Sequence, residues 1–355
     1  MTNFFHLQWQ GQLNEAITAI TTTTDSWAAS SAAGEIVCWQ NEQLIYYQTA
    51  QDSSIDCLQY SSDGKYLAAA GQAGHLKIWY EGELWQQISA PRVWIDHLAW
   101  HPVQPILAVA IGKQVQIWQV AEQKLLATLP FDRSVVCDLC WQVDGSQIAV
   151  AGYGGVAVWN WDDWQQYEML VVDTSVHQVA WSDDGQFLAA ATIDRQLVIA
   201  ISQELERPWV IPDLPAKISQ LQWFSGGSTL SIVCDQELVC WQYADDNWHP
   251  QTIELSAPQT ILFQRHFVNG ISPHPQLPLL ATLVTIGKDT TDQENMILIQ
   301  DTDLAILDNV TTDSITSRPA ILQWSKSGTQ LTVGDKNGHI SWWSVRIFDS
   351  EHCAV

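Results

Sequence analysis

Residues 55–80 read IDCLQYSSDGKYLAAAGQAGHLKIWY, and this stretch decides the fold. Short apolar runs alternate with turn residues. Ser61-Ser62-Asp63-Gly64 supplies one turn, and Asp and Gly there meet the dihedrals that tight turns demand. Helical periodicity is missing, so the runs read as strands from Ile55 to Tyr60, Tyr66 to Gly71 and His75 to Tyr80, with a fourth from Leu84 to Ile88.

Outward from this stretch the same marks recur. Trp79 closes its third strand, and Trp39, Trp118, Trp159, Trp241 and Trp343 stand in the same column, with gaps of 40, 39, 41, 82 and 102 residues along the series. The longer gaps divide at Ala200 and near Ile299, both closing apolar runs. A second column, in phase with the first, holds Tyr60, Trp100, Trp141, Trp181, Trp223, Pro273 and Trp324, each followed by a turn. Two of those turns are His101-Pro102 and His274-Pro275. A period near 40 residues marks a repeat fold. The units run over about 13–49, 53–90, 93–129, 134–171, 174–211, 216–256, 262–309 and 316–349. Second strands are rich in small residues, as in Leu67-Ala68-Ala69-Ala70 and Leu188-Ala189-Ala190-Ala191, which suits inner strands where radial sheets converge. The aromatic columns fill the wider spaces between sheets. Each buried Trp removes roughly 150–250 Å² from water, worth about 4–6 kcal/mol as an upper bound.

Composition narrows the function. Of 355 residues, 46% are hydrophobic and 15% charged, a globular balance. Acidic residues outnumber basic ones 39 to 15, a formal charge of −24. Nucleic-acid and anionic-membrane surfaces need clustered Lys and Arg, so both are excluded as partners. Seven cysteines, an odd count, argue against a disulfide framework and for a reducing compartment. Neither a leader at Met1-Thr2-Asn3-Phe4 nor a membrane-spanning apolar run is read, so the expected location is the cytoplasm.

The residues resemble the WD40-repeat family of β-propellers across the chain. Ile55, Leu58, Tyr60, Ser61, Asp63, Gly64, Leu67, Ala68, Leu76, Lys77, Ile78 and Trp79 fit that family's pattern in unit two. The Asp that follows the third-strand Trp in the family is replaced by Gln40, Tyr80, Gln119, Asn160, Gln242 and Ser344, and the Asp before the third strand survives as Asp194. The resemblance implies one all-β propeller domain over residues 1–355. Eight blades of four antiparallel strands are expected, with residues 3–9 completing the last blade. The alternative is seven blades, with unit seven as an insertion.

Catalytic signatures fail. No G-x-S-x-G elbow or P-loop is present, and Gly152-Tyr153-Gly154-Gly155 lies in a hairpin. Cys137-Asp138-Leu139-Cys140 has no second pair to complete a zinc site. The second residues of the first strands are Thr18, Asp56, Asp96, Cys137, His177, Ser219, Asn269 and Ala320; the resemblance places them near the top entrance of the central channel. A hydrated polar funnel is the expected role of this arc, and metal binding by Asp56, Asp96, Cys137 and His177 is the alternative. No cofactor is expected.

The candidate partner surface is the top face: Asp56, Arg92, Trp94, Asp96 and His177, with a loop around Asp289 and Asp292. Aromatics beside Arg are common interface anchors. A weaker bottom surface holds Trp161, Trp164 and Trp248; packing flat on the blade beneath is the competing role for these. The functional expectation is a non-catalytic scaffold or assembly factor, monomeric before it joins a complex, that binds a protein partner with a basic surface. A channel-entrance sensor or an eight-bladed propeller enzyme are the alternatives.

Overall fold

The computed structural model describes residues 4–90, 92–164, 167–234, 237–242, 259–262, 266–286, 294–311 and 319–346. They form thirty strands in seven antiparallel sheets. Sheet one holds Ile17–Thr22, Trp27–Ser31, Ile36–Gln40 and Gln43–Gln48 in sequence order. Sheet two holds Ile55–Tyr60, Tyr66–Gly71, His75–Tyr80 and Glu83–Ser89. Sheet three holds Leu98–Trp100, Ile106–Ile111, Gln114–Gln119 and Lys124–Pro130. Sheet five runs from Ile218–Phe224 to Gln259–Leu262, and sheet six from His266–Pro273 to Ile306–Thr311. Each strand alternates faces, and each sheet buries both faces against its neighbours.

Sheet four corrects the expected count. It has six strands, Asp138–Trp141, Gln147–Asn160, Tyr167–Trp181, Phe187–Thr192, Leu197–Ile201 and Glu204–Ile211. Seven sheets therefore stand where eight four-stranded blades were expected. The cause is local. Gly154 and Gly155 adopt φ of +88° and +123°, which brings Tyr153 opposite Ser175 and continues the ladder from unit four into unit five. The reduction does not come from unit seven, which forms sheet six by itself.

The ring closes where the chain's two ends meet. Phe5–Gln12 pairs antiparallel with His339–Val345, joining Gln330–Asp335 and Pro319–Trp324 in sheet seven. Pairing there occupies an edge that would otherwise stand open. Trp9 from this strand packs 5.5 Å from Trp27 and 5.2 Å from Trp39, and Trp39 lies 5.7 Å from Trp342. The closure seam is thus an aromatic wedge between sheets seven and one.

Apolar clusters fill the spaces between sheets. Ala28, Ile36 and Cys38 of sheet one meet Leu58, Tyr60, Leu67 and Trp79 of sheet two. The second aromatic column also ties neighbours by hydrogen bonds. Trp100 Nε1 donates to the Gln59 carbonyl (3.0 Å), Trp141 Nε1 to Ala99 (3.0 Å) and Trp223 Nε1 to Ala180 (3.2 Å). Each indole reaches one unit back, so the column works in hydrogen bonding as well as packing. Outside both columns, Trp85 on the outermost strand of sheet two is 39% exposed, and its Nε1 donates to the Val120 carbonyl at 2.9 Å.

Candidate functional site

The first strands and the connections that precede them end together at the top of the ring. Asp56 follows Ile55 at the start of its strand, where its carboxylate accepts from Ser54 Oγ (2.6 Å) and from Trp94 Nε1 (2.8 Å). Trp94 comes from the connection into unit three. That connection turns at Arg92, which is exposed with φ +70°, and re-enters the fold where the Ile95 N–H donates to the Gly71 carbonyl at 3.2 Å. Buried Ile95 pins the loop from below. Trp94 is 54% exposed yet held by its indole N–H.

A second group lies beside the first. His97 Nδ1 is 3.5 Å from Asp138 Oδ1, and its Nε2 is 3.6 Å from Asp96 Oδ2. Asp138 also accepts from the Leu139 N–H (2.8 Å) and, in unit five, from the Val179 N–H (2.9 Å). Burial, the largest influence on His97, lowers its pKa, but the hydrogen bond and charge of Asp138 together with Asp96 outweigh it and raise the value. His97 and Asp138 were not among the candidates. Asp138 stands within Cys137-Asp138-Leu139-Cys140, where the cysteine spacing is the recognisable pattern and the acid between them carries none.

Of the remaining arc residues, Thr18 and His177 reach the next blade, whereas Ser219 and Asn269 bond within their own. Thr18 Oγ1 donates to the Ile55 carbonyl, and His177 Nε2 lies 2.8 Å from the Ile218 carbonyl. Ser219 Oγ donates to Val233 O at 3.2 Å, and Asn269 Nδ2 to Thr285 Oγ1 at 2.7 Å. Burial lowers the His177 pKa. It raises that of the Cys137 thiol, with the charges of Asp96 and Asp138 adding to the effect. Asp56, Asp96, Cys137 and His177 thus hold separate partners, and among the described residues no three His, Cys, Asp or Glu side chains converge in a metal-holding group. The side chain of Ala320, Asp289 and Asp292 on the top face, and Trp248 on the bottom, lie outside the described residues.

Trp161 and Trp164 fold over the ring's bottom end. They lie 5.2 Å apart; Trp161 is 5.2 Å from His101 and 5.8 Å from Trp141. Both are half-buried against the cluster shared by units three and four, so packing over the His101-Pro102 turn accounts for their position.

Comparison with known proteins places this geometry. Residues 42–80 match the family described as WD domain, G-beta repeat, and residues 87–202 match that described as eukaryotic translation initiation factor eIF2A. Protein HIR1 of Mycosarcoma maydis is 23% identical over 217 residues, which cover 60% of this chain and 20% of that protein. The chain thus matches about a fifth of that relative's length. Among solved structures, the C-terminal WD40 domain of Sif2 superposes with a TM-score of 0.74 at 12% identity, over 98% of this chain and 100% of that one. The β-propeller domain of Cps50 (Swd1) from Myceliophteria thermophila gives 0.63 at 16%, over 82% and 97%. A chain of the mitotic checkpoint complex gives 0.63 at 14%, over 96% of each. With its radial sheets, its two in-phase aromatic columns and its N-terminal closing strand, the chain has the fold of the WD40 β-propellers it superposes on, and its residues 42–80 match the WD domain, G-beta repeat.

Proposed function

We propose that this protein is a non-catalytic interaction platform, a scaffold or assembly factor that holds a partner with a basic surface on its acidic top face. Residues 1–355 act as one domain in which eight sequence repeats are carried on seven sheets.

The observation that carries the functional reading is Trp94. A large aromatic side chain that is exposed to solvent yet held by a hydrogen bond to Asp56 loses less conformational freedom on binding. Asp56 at its indole, with Asp96 and Asp138 about His97 in the adjoining strands, supplies negative charge, which steers a basic partner and makes association sensitive to salt. One of the superposed structures is a chain of a complex, the mitotic checkpoint complex, which favours a protein partner. Among the described residues the cysteines Cys38, Cys57, Cys137, Cys140, Cys234 and Cys240 form no disulfide, which suits the cytoplasm. We place the protein there as a monomer before assembly. Affinity purification of the tagged chain at low and moderate salt tests the reading. A stoichiometric partner that is lost with salt and with Trp94→Ala supports it, and a partner retained by Trp94→Ala overturns the surface assignment.

A further inference from the structure

The outer rim carries a feature that repeats in three successive blades. The third-strand residues Trp39, Trp79 and Trp118 face Leu44, Leu84 and Leu125 on the outermost strands. The residues that follow are Ile45, Trp85 and Leu126. Of these, Leu84 is 54% exposed, and Ile45, Trp85, Leu125 and Leu126 are 38–40% exposed. At the second of these positions units four and five carry Glu168 and Glu206, both exposed, whereas the first stays apolar there as Tyr167 and Leu205. Apolar residues at the second position, Ile45, Trp85 and Leu126, are therefore no requirement of the fold.

The three outer strands form one continuous surface. The Tyr47 hydroxyl of unit one reaches over Gly82, the turn that opens the outer strand of unit two. Trp85 Nε1 of unit two donates to the Val120 carbonyl of unit three, and Gln123 Nε2 returns a 3.2 Å bond to the Trp85 carbonyl. Beside the apolar row runs an acidic one, exposed Glu42, Glu81, Glu83 and Glu122, opposed by Lys124.

We infer that the rim of units one to three is a docking surface for a basic amphipathic helix of a partner protein, separate from the top face. Charge selects the occupant. A second copy of a chain with net charge −24 would set one glutamate row against another, and an anionic lipid surface is repelled in the same way. Direction selects the helix. An added strand follows one outer edge and meets one apolar pair, whereas a helix of about 18 residues is roughly 27 Å long and, laid across the blades, carries its apolar face over successive pairs. Lys and Arg flanking that apolar face meet the glutamates.

The test uses a fluorescent peptide of about 18 residues with Leu at helical spacing and Lys on the flanks, titrated against the full chain and followed by anisotropy. A control peptide has the same composition in scrambled order. The helical peptide should bind at least tenfold more tightly than the scrambled one. Leu84→Glu and Leu126→Glu should each weaken it at least tenfold while the melting curve stays unchanged, and Trp94→Ala should leave it intact, which separates this surface from the top face. A photo-crosslinkable Leu in the peptide should label residues 42–46, 81–85 or 122–126. Equal binding of the two peptides, unaltered binding by both glutamate variants, labelling confined to the top face, or a dimer broken by Leu84→Glu would each overturn the inference.

Discussion

The indole nitrogen of Trp94 donates a 2.8 Å hydrogen bond to Oδ2 of Asp56, 38 residues earlier and one blade away. The bond fixes an exposed ring at the mouth of the ring of sheets, and its partner is a carboxylate. Trp94→Ala should therefore reduce partner affinity by about tenfold or more, the range of an interface anchor. Asp56→Asn keeps an acceptor but removes the charge, so it should cost less and should flatten the salt dependence. Trp94 is more than half exposed and Asp56→Asn keeps its shape, so neither change opens the core and melting temperatures should fall by no more than about 4 °C. Affinity and melting measured on the same samples check all three outcomes.

The closure seam predicts a large stability effect far from that site. Trp9 wedges between Trp27 and Trp39, so Trp9→Ala leaves a cavity where sheets seven and one meet. The expected cost is about 3 kcal/mol, the scale of large-to-small core changes, read by chemical denaturation. Deleting residues 1–12 removes the whole strand that pairs with His339–Val345. Melting should then fall sharply, and aggregation should rise as that edge opens.

Two histidines give the fold a pH dependence with a definite sign. His101 Nδ1 accepts from the Val103 and Gln104 N–H groups (3.1 Å each), and His274 Nδ1 accepts from Gln276 (3.1 Å) and Leu277 (2.9 Å). His274 Nε2 lies 2.9 Å from the Gly328 carbonyl and acts as donor there. Each ring must be neutral to accept at Nδ1, and burial lowers both pKa values below the ordinary 6.5. The unfolded chain therefore protonates first. The contribution is fully present above pH 6.5 and is lost as pH falls from there toward the lower folded values. His97 has the opposite sign, since its raised pKa favours the fold below 6.5 and loses that as pH rises. With His177 also lowered, three rings oppose one, and denaturation midpoints should fall between about pH 7.5 and about pH 5. Replacing His101 and His274 together by Gln should flatten that slope; an unchanged slope would assign it to other groups.

The sequence carried the propeller because its information is periodic. Trp79, Trp118 and Trp159 recur at the spacing of one blade, and no local conformation had to be known to read them. The sheet count depended on Tyr153-Gly154-Gly155, whose glycines let unit four's ladder continue into unit five, and a turn's pairing partner across 22 residues is not written in its type. The same distinction governs the site. Asp56 and Trp94 were legible as residues at one end of the ring, whereas their hydrogen bond depends on how the loop turns at Arg92. Asp138 was hidden because its strand position faces the His97 side, while the recognisable pattern around it is the cysteine spacing. For Trp161 and Trp164 the sequence left open a bottom-face surface or packing on the blade beneath; the contacts of Trp161 with His101 and of Trp164 with Trp141 are set by how the loop folds back, which spacing does not encode.

Those turns make a last prediction about glycine. Gly145 has φ +77°, and a Cβ built there would sit 2.2 Å from His101 Cε1. Gly226 has a similar φ of +67° with nothing within 4 Å. Alanine at Gly226 therefore bears only the left-handed backbone cost, about 1–2 kcal/mol. Alanine at Gly145 bears that cost and must also displace the imidazole that binds the His101-Pro102 turn, so its penalty should exceed the first by about 1 kcal/mol or more. Because the clash is with a side chain, His101→Ala should relieve it. The double variant His101→Ala with Gly145→Ala should then be more stable than the sum of the single effects predicts. A double-mutant cycle by urea denaturation reads that coupling directly. Additive costs would mean that the imidazole and the turn glycine do not constrain each other, and the turn-to-turn contact between units three and four would lose its role in holding the ring.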